Sequence, residues 1–159
     1  MNYRRAHVPG GTYFFTVVTR NRAPIFSDTA QVERLKAGFI HVRGTRPFRM
    51  PALVVLPDHL HAIWTLPEDD ADFSTRWRLI KHYVQRTNIE PVWQPRFWEH
   101  VIRDEDDFAR HFDYIHSNPV KHGLVDKLCE WRHSTFQRYV DLGVYSPDWC
   151  EIDDAMNLD

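Results

Sequence analysis

The sequence predicts an α+β fold: a split βαβ, ferredoxin-like arrangement with a four-stranded antiparallel sheet, helices on one of its faces, and a further C-terminal helix followed by an irregular tail. Three observations point there. Four short runs are rich in β-branched and aromatic residues. Two stretches of helical apolar periodicity separate them in the order β-α-β-β-α-β, and a third helical stretch follows the last strand.

Gly10-Gly11 makes a turn, and residues 12–19 (TYFFTVVT) read as the first strand, broken by residues 21–24. Asp28 caps a helix running to about residue 42, with Val32, Leu35 and Phe39 on one face. Residues 48–56 and 59–66 form two buried strands joined at Pro57-Asp58. Ser74 is the expected N-cap of a helix to about residue 88, with Trp77, Ile80 and Val84 on its apolar face and Arg78, Lys81 and Gln85 on another. Residues 96–102 read as the fourth strand. The acids of residues 104–107 suit the positive end of a helix over 105–117, which turns Phe108, Phe112 and Ile115 toward the core. Residues 1–140 form one domain, and residues 141–159 an acidic tail that reads as disordered.

The 159 residues are 43% hydrophobic and include six Trp, six Tyr and ten Phe, enough for a buried core. No apolar run approaches the roughly 20 residues that span a bilayer, so no membrane role is expected. The N-terminus lacks the apolar stretch of a secretory signal. Cys129 and Cys150 form no Cys-x-x-Cys pair, which argues against a structural zinc site or a disulfide framework and for a cytoplasmic setting. Charge is segregated: residues 1–50 carry nine Arg and Lys against two acids, residues 76–103 six against two, and six acids with no base follow Arg138. Such separation suits a polyanionic partner despite a net charge of −2.

The chemistry-bearing run is Pro57-Asp58-His59-Leu60-His61-Ala62-Ile63-Trp64. Residues two apart on a strand share a face, so His59 and His61 project together and can grip one divalent metal. On the third helix Asp107, His111, Tyr114 and Asn118 recur at i, i+4, i+7 and i+11, within about 60° of one another. The pattern joins a hydroxyl nucleophile to an amide oxygen one turn away. Two nitrogens and one amide oxygen leave positions on the metal for phosphate oxygens and water. A tyrosine, protonated at neutral pH, needs a nearby cation or base before it attacks. His111 faces the same way and is a candidate proton carrier.

Several strings carry a resemblance: Leu56-Pro57-Asp58-His59-Leu60-His61, Trp77-Arg78-Leu79-Ile80-Lys81, Phe97-Trp98-Glu99-His100-Val101-Ile102-Arg103, and the run from Tyr114 to Leu124, YIHSNPVKHGL. The opening Tyr3-Arg4-Arg5, the run from Gly11 to Thr16, and Trp131-Arg132-His133-Ser134-Thr135-Phe136 add to it. Over residues 3 to about 140 the chain resembles the single-tyrosine HUH transposases of bacterial insertion sequences, most of all the REP-associated tyrosine transposases. The resemblance implies cleavage and rejoining of single-stranded DNA beside a folded REP hairpin, with His59, His61 and Asn118 as ligands of Mg²⁺ or Mn²⁺. Tyr114 would be the nucleophile that forms a 5′-phosphotyrosyl link. It also implies a monomer completed in cis, whereas insertion-sequence relatives are dimers, and a protein at work on the nucleoid. Arg4, Arg5, Arg78 and Lys81 are candidate contacts to the DNA backbone. Lys121 and His122 could cap the helix before Gly123 or touch a phosphate. Trp98 and Trp131 could stack on unpaired bases, but a core role is expected of both. Two other readings compete: a metal-dependent nucleic-acid hydrolase without a covalent intermediate, and a hairpin-binding regulator that does no chemistry.

Overall fold

The computed structural model describes residues 6–159, so Arg4 and Arg5 lie outside the described residues. Its strands are β1 (Thr12–Val18), β2 (Arg49–Leu56), β3 (His59–Thr65) and β4 (Trp98–Val101). The helices are α1 (Thr29–Thr45), α2 (Phe73–Gln85), α3 (Glu105–Lys121) and the short α4 (Phe136–Asp141). The four strands form one antiparallel sheet in the order β2-β3-β1-β4, so β3 separates the two strands that α1 connects. The predicted α+β class with its four-stranded antiparallel sheet is the fold observed.

Both faces of the sheet are covered, which is why its strands read as unbroken apolar runs rather than as alternating ones. Tyr13, Phe15, Val17, Leu60, Ala62 and Trp64 pack with α1 and α2 through Leu35, Phe39, Phe73, Trp77 and Ile80. Trp64 and Trp77 stack at 4.2 Å with planes 14° apart, a pairing worth about 1 kcal/mol beyond the area it buries. Helices α1 and α2 approach closely where Gly38 faces Tyr83, because a Cβ there would lie 3.2 Å from the ring. The opposite face carries Phe14, Ala52, Val54, Leu56 and Ile63 against Phe112, Tyr114 and Ile115 of α3. His59 and His61 belong to this second face. Cross-strand partners share a face, and the register aligns Val54, His61, Thr16 and Trp98 in one row across the four strands.

Helix ends explain the element boundaries. Asp28 caps α1 by accepting from Ala30 N–H at 2.9 Å, as expected. The cap of α2 is Asp72, which accepts from Thr75 N–H at 3.0 Å, rather than Ser74. The cap lies two residues earlier because the apolar face of α2 begins with the buried Phe73. Asp104 caps α3 from Asp107 N–H at 2.8 Å, and Glu105, Asp106 and Asp107 fill its first turn. That helix does not stop at Ser117: it runs through Pro119 to Lys121. Pro119 removes one main-chain donor and crowds the preceding turn, yet the next bonds hold, with His122 N–H reaching Asn118 O at 3.0 Å. Gly123, at φ +69°, then turns the chain out of the helix.

Residues beyond α4 are ordered, not loose. Tyr145 and Met156 are buried in the second core, with Trp149 and Leu158 packed on it. Their apolar side chains outweigh the acids around them, so the tail folds back across the α3 side of the sheet. His116 of α3 ties this region down, its Nδ1 meeting Tyr145 Oη at 3.0 Å and its Nε2 meeting Thr135 Oγ1 at 2.7 Å. Among the described residues no helix is long and apolar enough to cross a membrane.

Candidate active site

His59 and His61 are almost wholly buried, and their Nε2 atoms converge on one point. Each ring is fixed from behind by its other nitrogen. His59 Nδ1–H donates to Asp58 Oδ1 at 2.7 Å. His61 Nδ1 pairs with Thr16 Oγ1 at 2.8 Å. The Thr16 hydroxyl spends its single proton on Leu158 O at 3.1 Å, so it accepts from His61 Nδ1–H. With Nδ1 donating, each ring in its neutral form presents a lone pair at Nε2, the arrangement that metal-binding histidines require.

The point they face is taken by Asp159, whose Oδ1 lies 2.6 Å from His61 Nε2 and 3.2 Å from His59 Nε2. Burial opposes the ionised form of Asp159, but its hydrogen bonds to His59 and His61 win and hold it far below the usual carboxylate range. Burial lowers His61 to about 4, against the pull of the Asp159 carboxylate. Asn118 joins from α3, its Nδ2 donating to Asp159 Oδ1 at 3.3 Å while its Oδ1 is buried without a partner. Two imidazole nitrogens and an orphaned amide oxygen are a donor set that fits a divalent cation, with His59, His61 and Asn118 able to hold it. His122 stands at the rim, its Nε2 2.9 Å from Asp159 Oδ2.

Tyr114 comes to this point from α3. Its ring centroid lies 5.3 Å from that of His61. Its hydroxyl accepts from Leu158 N–H at 2.9 Å and from Lys121 Nζ at 3.5 Å. The ammonium also sits over the phenol ring, 4.6 Å from its centre. Burial raises the phenol above its ordinary pKa, so a cation beside it matters more than it would in water.

No protein-family model matches the chain. The REP-associated tyrosine transposase of Escherichia coli (strain K12) is 51% identical over 148 residues, covering 92% of this chain and 89% of its own. The chain belongs to the REP-associated tyrosine transposase family. A relative from Haemophilus influenzae (strain Rd) is 36% identical, with 93% of this chain and 92% of its own length covered. A solved structure described as a REP-associated tyrosine transposase bound to a REP hairpin superposes with a TM-score of 0.90 at 48% identity, covering 99% of this chain and 94% of that one.

Seen as a member of this family, the chain assembles some of the residues expected for the site and separates others. Tyr114, Asn118, His59 and His61 meet at one point, and Lys121 joins them. The rest of the α3 stripe does not. His111 gives its Nδ1–H to Asp107 O at 2.8 Å and stacks on His100 at 4.5 Å, with the Phe14 ring between it and His61. Asp107 is buried and holds His100 Nε2 at 2.8 Å and Arg103 N–H at 3.0 Å; although burial opposes it, these bonds hold its carboxyl down to about 2. Arg78 and Lys81 lie on α2, across the sheet from the site, and Lys81 Nζ donates to Gln94 O at 3.0 Å. Trp98, expected in the core, is 39% exposed because β4 is the sheet edge. Trp131 is half-buried and donates to Val55 O at 3.1 Å.

Sequence reasoning missed Asp58, Thr16 and Asp159. Asp58 adjoins His59 and could have been found by asking what orients the ring. Thr16 becomes visible only through strand register. Asp159 lies 98 residues from His61 and carries no local signal.

Proposed function

We propose that the chain is a metal-dependent single-stranded DNA endonuclease and strand transferase acting at REP-type hairpins through a 5′-phosphotyrosine intermediate. The observation that carries this reading is the Tyr114 hydroxyl beside the point where His59, His61 and Asn118 converge. Its DNA partner is argued from the relative whose structure is described as bound to a REP hairpin.

In this reading Tyr114 is the nucleophile, and His59, His61 and Asn118 hold Mg²⁺ or Mn²⁺. An ion held there would polarise the scissile phosphate and take up charge developing on its oxygens. Tyr114 Oη forms a bond to phosphorus as the bond from phosphorus to O3′ breaks. The phenol proton leaves to solvent, and the released O3′ takes up a proton to become a hydroxyl. The phosphodiester is conserved as a 5′-phosphotyrosyl ester, so the 3′-hydroxyl of either end can reverse the step without ATP. Lys121 favours the phenolate by its positive charge, while Thr16 and Asp58 keep the two imidazoles in the required tautomer. Arg4, Arg5, Arg78 and Lys81 act as phosphate contacts, the α2 pair on a duplex arm reaching that side of the sheet. Such contacts make binding fall steeply with salt. The working unit is a monomer in the cytoplasm, at the nucleoid.

The test is a labelled REP-type hairpin with a single-stranded flank, incubated with Mn²⁺ or with EDTA and resolved on denaturing gels. A covalent adduct that requires metal and disappears in Tyr114→Phe is expected. Cleavage that survives Tyr114→Phe would establish a hydrolase instead. Tight binding without cleavage in any metal would leave a regulator.

A further inference from the structure

We propose that the cleft beside β4 is a seat for the single-stranded DNA next to the scissile phosphate, one base stacking on Trp98 and the backbone held by Arg22 and Arg96; this rests on the function proposed above. The cleft has a volume of about 690 Å³ and runs from Arg22, Arg96 and Trp98 at its outer end to Thr16, Leu158 and Asp159 at its inner end.

Strand register is the first argument. His61, Thr16 and Trp98 occupy one row on one face of the sheet, so Trp98 is two strands from the imidazole, about 10 Å away. A strand threaded to Tyr114 along this row must pass the indole. The side chain is well made for stacking. It is 39% exposed, a costly state for tryptophan that a flat aromatic partner would relieve.

It is also held rigid. Trp98 lies parallel to His100, with planes 8° apart, and His100 lies parallel to His111, with planes 16° apart. Asp107 pins both imidazoles, at 2.8 Å to His100 Nε2 and 3.2 Å to His111 Nδ1. The cluster thus acts as a buttress for the indole. A metal fits it poorly, because ring nitrogens ligate in the ring plane and these two planes are nearly parallel. Rigid aromatic platforms lose little freedom when a base stacks on them, and every base offers a π-face.

Charge is the second argument. Arg96 is exposed and makes no ion pair among the described residues. Arg22 reaches Asp58 at 3.7 Å, the carboxylate that orients His59, so it links the cleft to the metal position. Asn21 and Arg22 both lie at φ 54° in the left-handed region. Two guanidiniums beside an open indole suit a single nucleic-acid strand and no neutral ligand.

The test compares fluorescence-anisotropy titrations of a bare REP-type hairpin and the same hairpin with a short single-stranded flank, using the full chain. The flank is expected to tighten binding by roughly tenfold or more. Trp98→Ala should remove that gain while the bare hairpin binds as before, and Trp98→Phe should keep much of it. Arg96→Gln, a change at an exposed side chain, should shrink the gain and flatten its salt dependence. A flank that adds nothing, or a gain that survives both Trp98→Ala and Arg96→Gln, overturns the proposal while hairpin binding stands. Loss of hairpin binding in the unmodified chain would instead count against the proposed function.

Discussion

Asp159 Oδ1 lies 2.6 Å from His61 Nε2, at the point a catalytic cation would occupy. Its neighbour Leu158 covers the Tyr114 hydroxyl with a main-chain N–H at 2.9 Å. One short segment thus fills the cation position and shields the nucleophile together. Asp159→Ala is expected to raise the rate of Tyr114–DNA adduct formation several-fold at saturating Mn²⁺, measured on denaturing gels. A fall in rate, with weaker Mn²⁺ binding, would make the carboxylate a ligand instead of a competitor.

Thr16→Val removes the acceptor that fixes His61 while preserving side-chain shape. Partners of this kind typically contribute 10- to 100-fold to metal affinity, and a loss of about that size is expected in a Mn²⁺ titration followed by electron paramagnetic resonance. Thr16 also accounts for one bond to Leu158 O, so a modest loosening of the tail should accompany it. Unchanged Mn²⁺ affinity would remove Thr16 from the account.

Lys121→Met deletes the positive charge 3.5 Å from the Tyr114 hydroxyl. Burial already raises that phenol, and losing the ammonium raises it further. The pH profile of adduct formation should move to higher pH, with the rate near neutrality lower by roughly tenfold or more. Lys121→Arg should restore much of the rate, since it keeps the charge. A Lys121→Met profile that overlays the parent's would mean the ammonium serves only the tail, through Met156 O at 2.9 Å.

His116 predicts acid sensitivity of the fold. Burial lowers it to about 3, far below the ordinary value of 6.5. The unfolded chain therefore takes up the proton first, and stability present above pH 6.5 drains away as pH falls toward 3. Between pH 7 and pH 5 the loss from this residue is about 2 kcal/mol. Guanidinium unfolding at the two pH values should show it, and the loss should shrink by about that amount in His116→Asn. An identical loss in parent and variant would rule His116 out as the source.

The sheet and its helices were legible because their signals are local. Phe14-Phe15 and residues 52–56 announce strands by residue type, and Asp28 announces a helix start by the hydrogen bond it makes two residues on. The boundary of α3 was not legible, since Pro119 breaks a helix in isolation but here loses one bond while the flanking ones survive under buried packing. The tail misled for a similar reason. Its acids dominate its composition, yet Tyr145 and Met156 supply the burial that orders it. Along the α3 stripe, spacing put four side chains on one helical face without saying which would meet β3. Tyr114 and Asn118 reach the histidines, while Asp107 and His111 turn to His100 on the edge strand.

By itself the amino-acid order determined which residues could share a face: period two set His59 beside His61, and the helical period set Tyr114 above Asn118. Only tertiary structure decided that those faces meet, that Thr16 and Trp98 join the same row, and that Asp159 closes the site. Periodicity is a property of neighbours along the chain, whereas register, helix docking and the return of a distant segment depend on how the whole surface is buried.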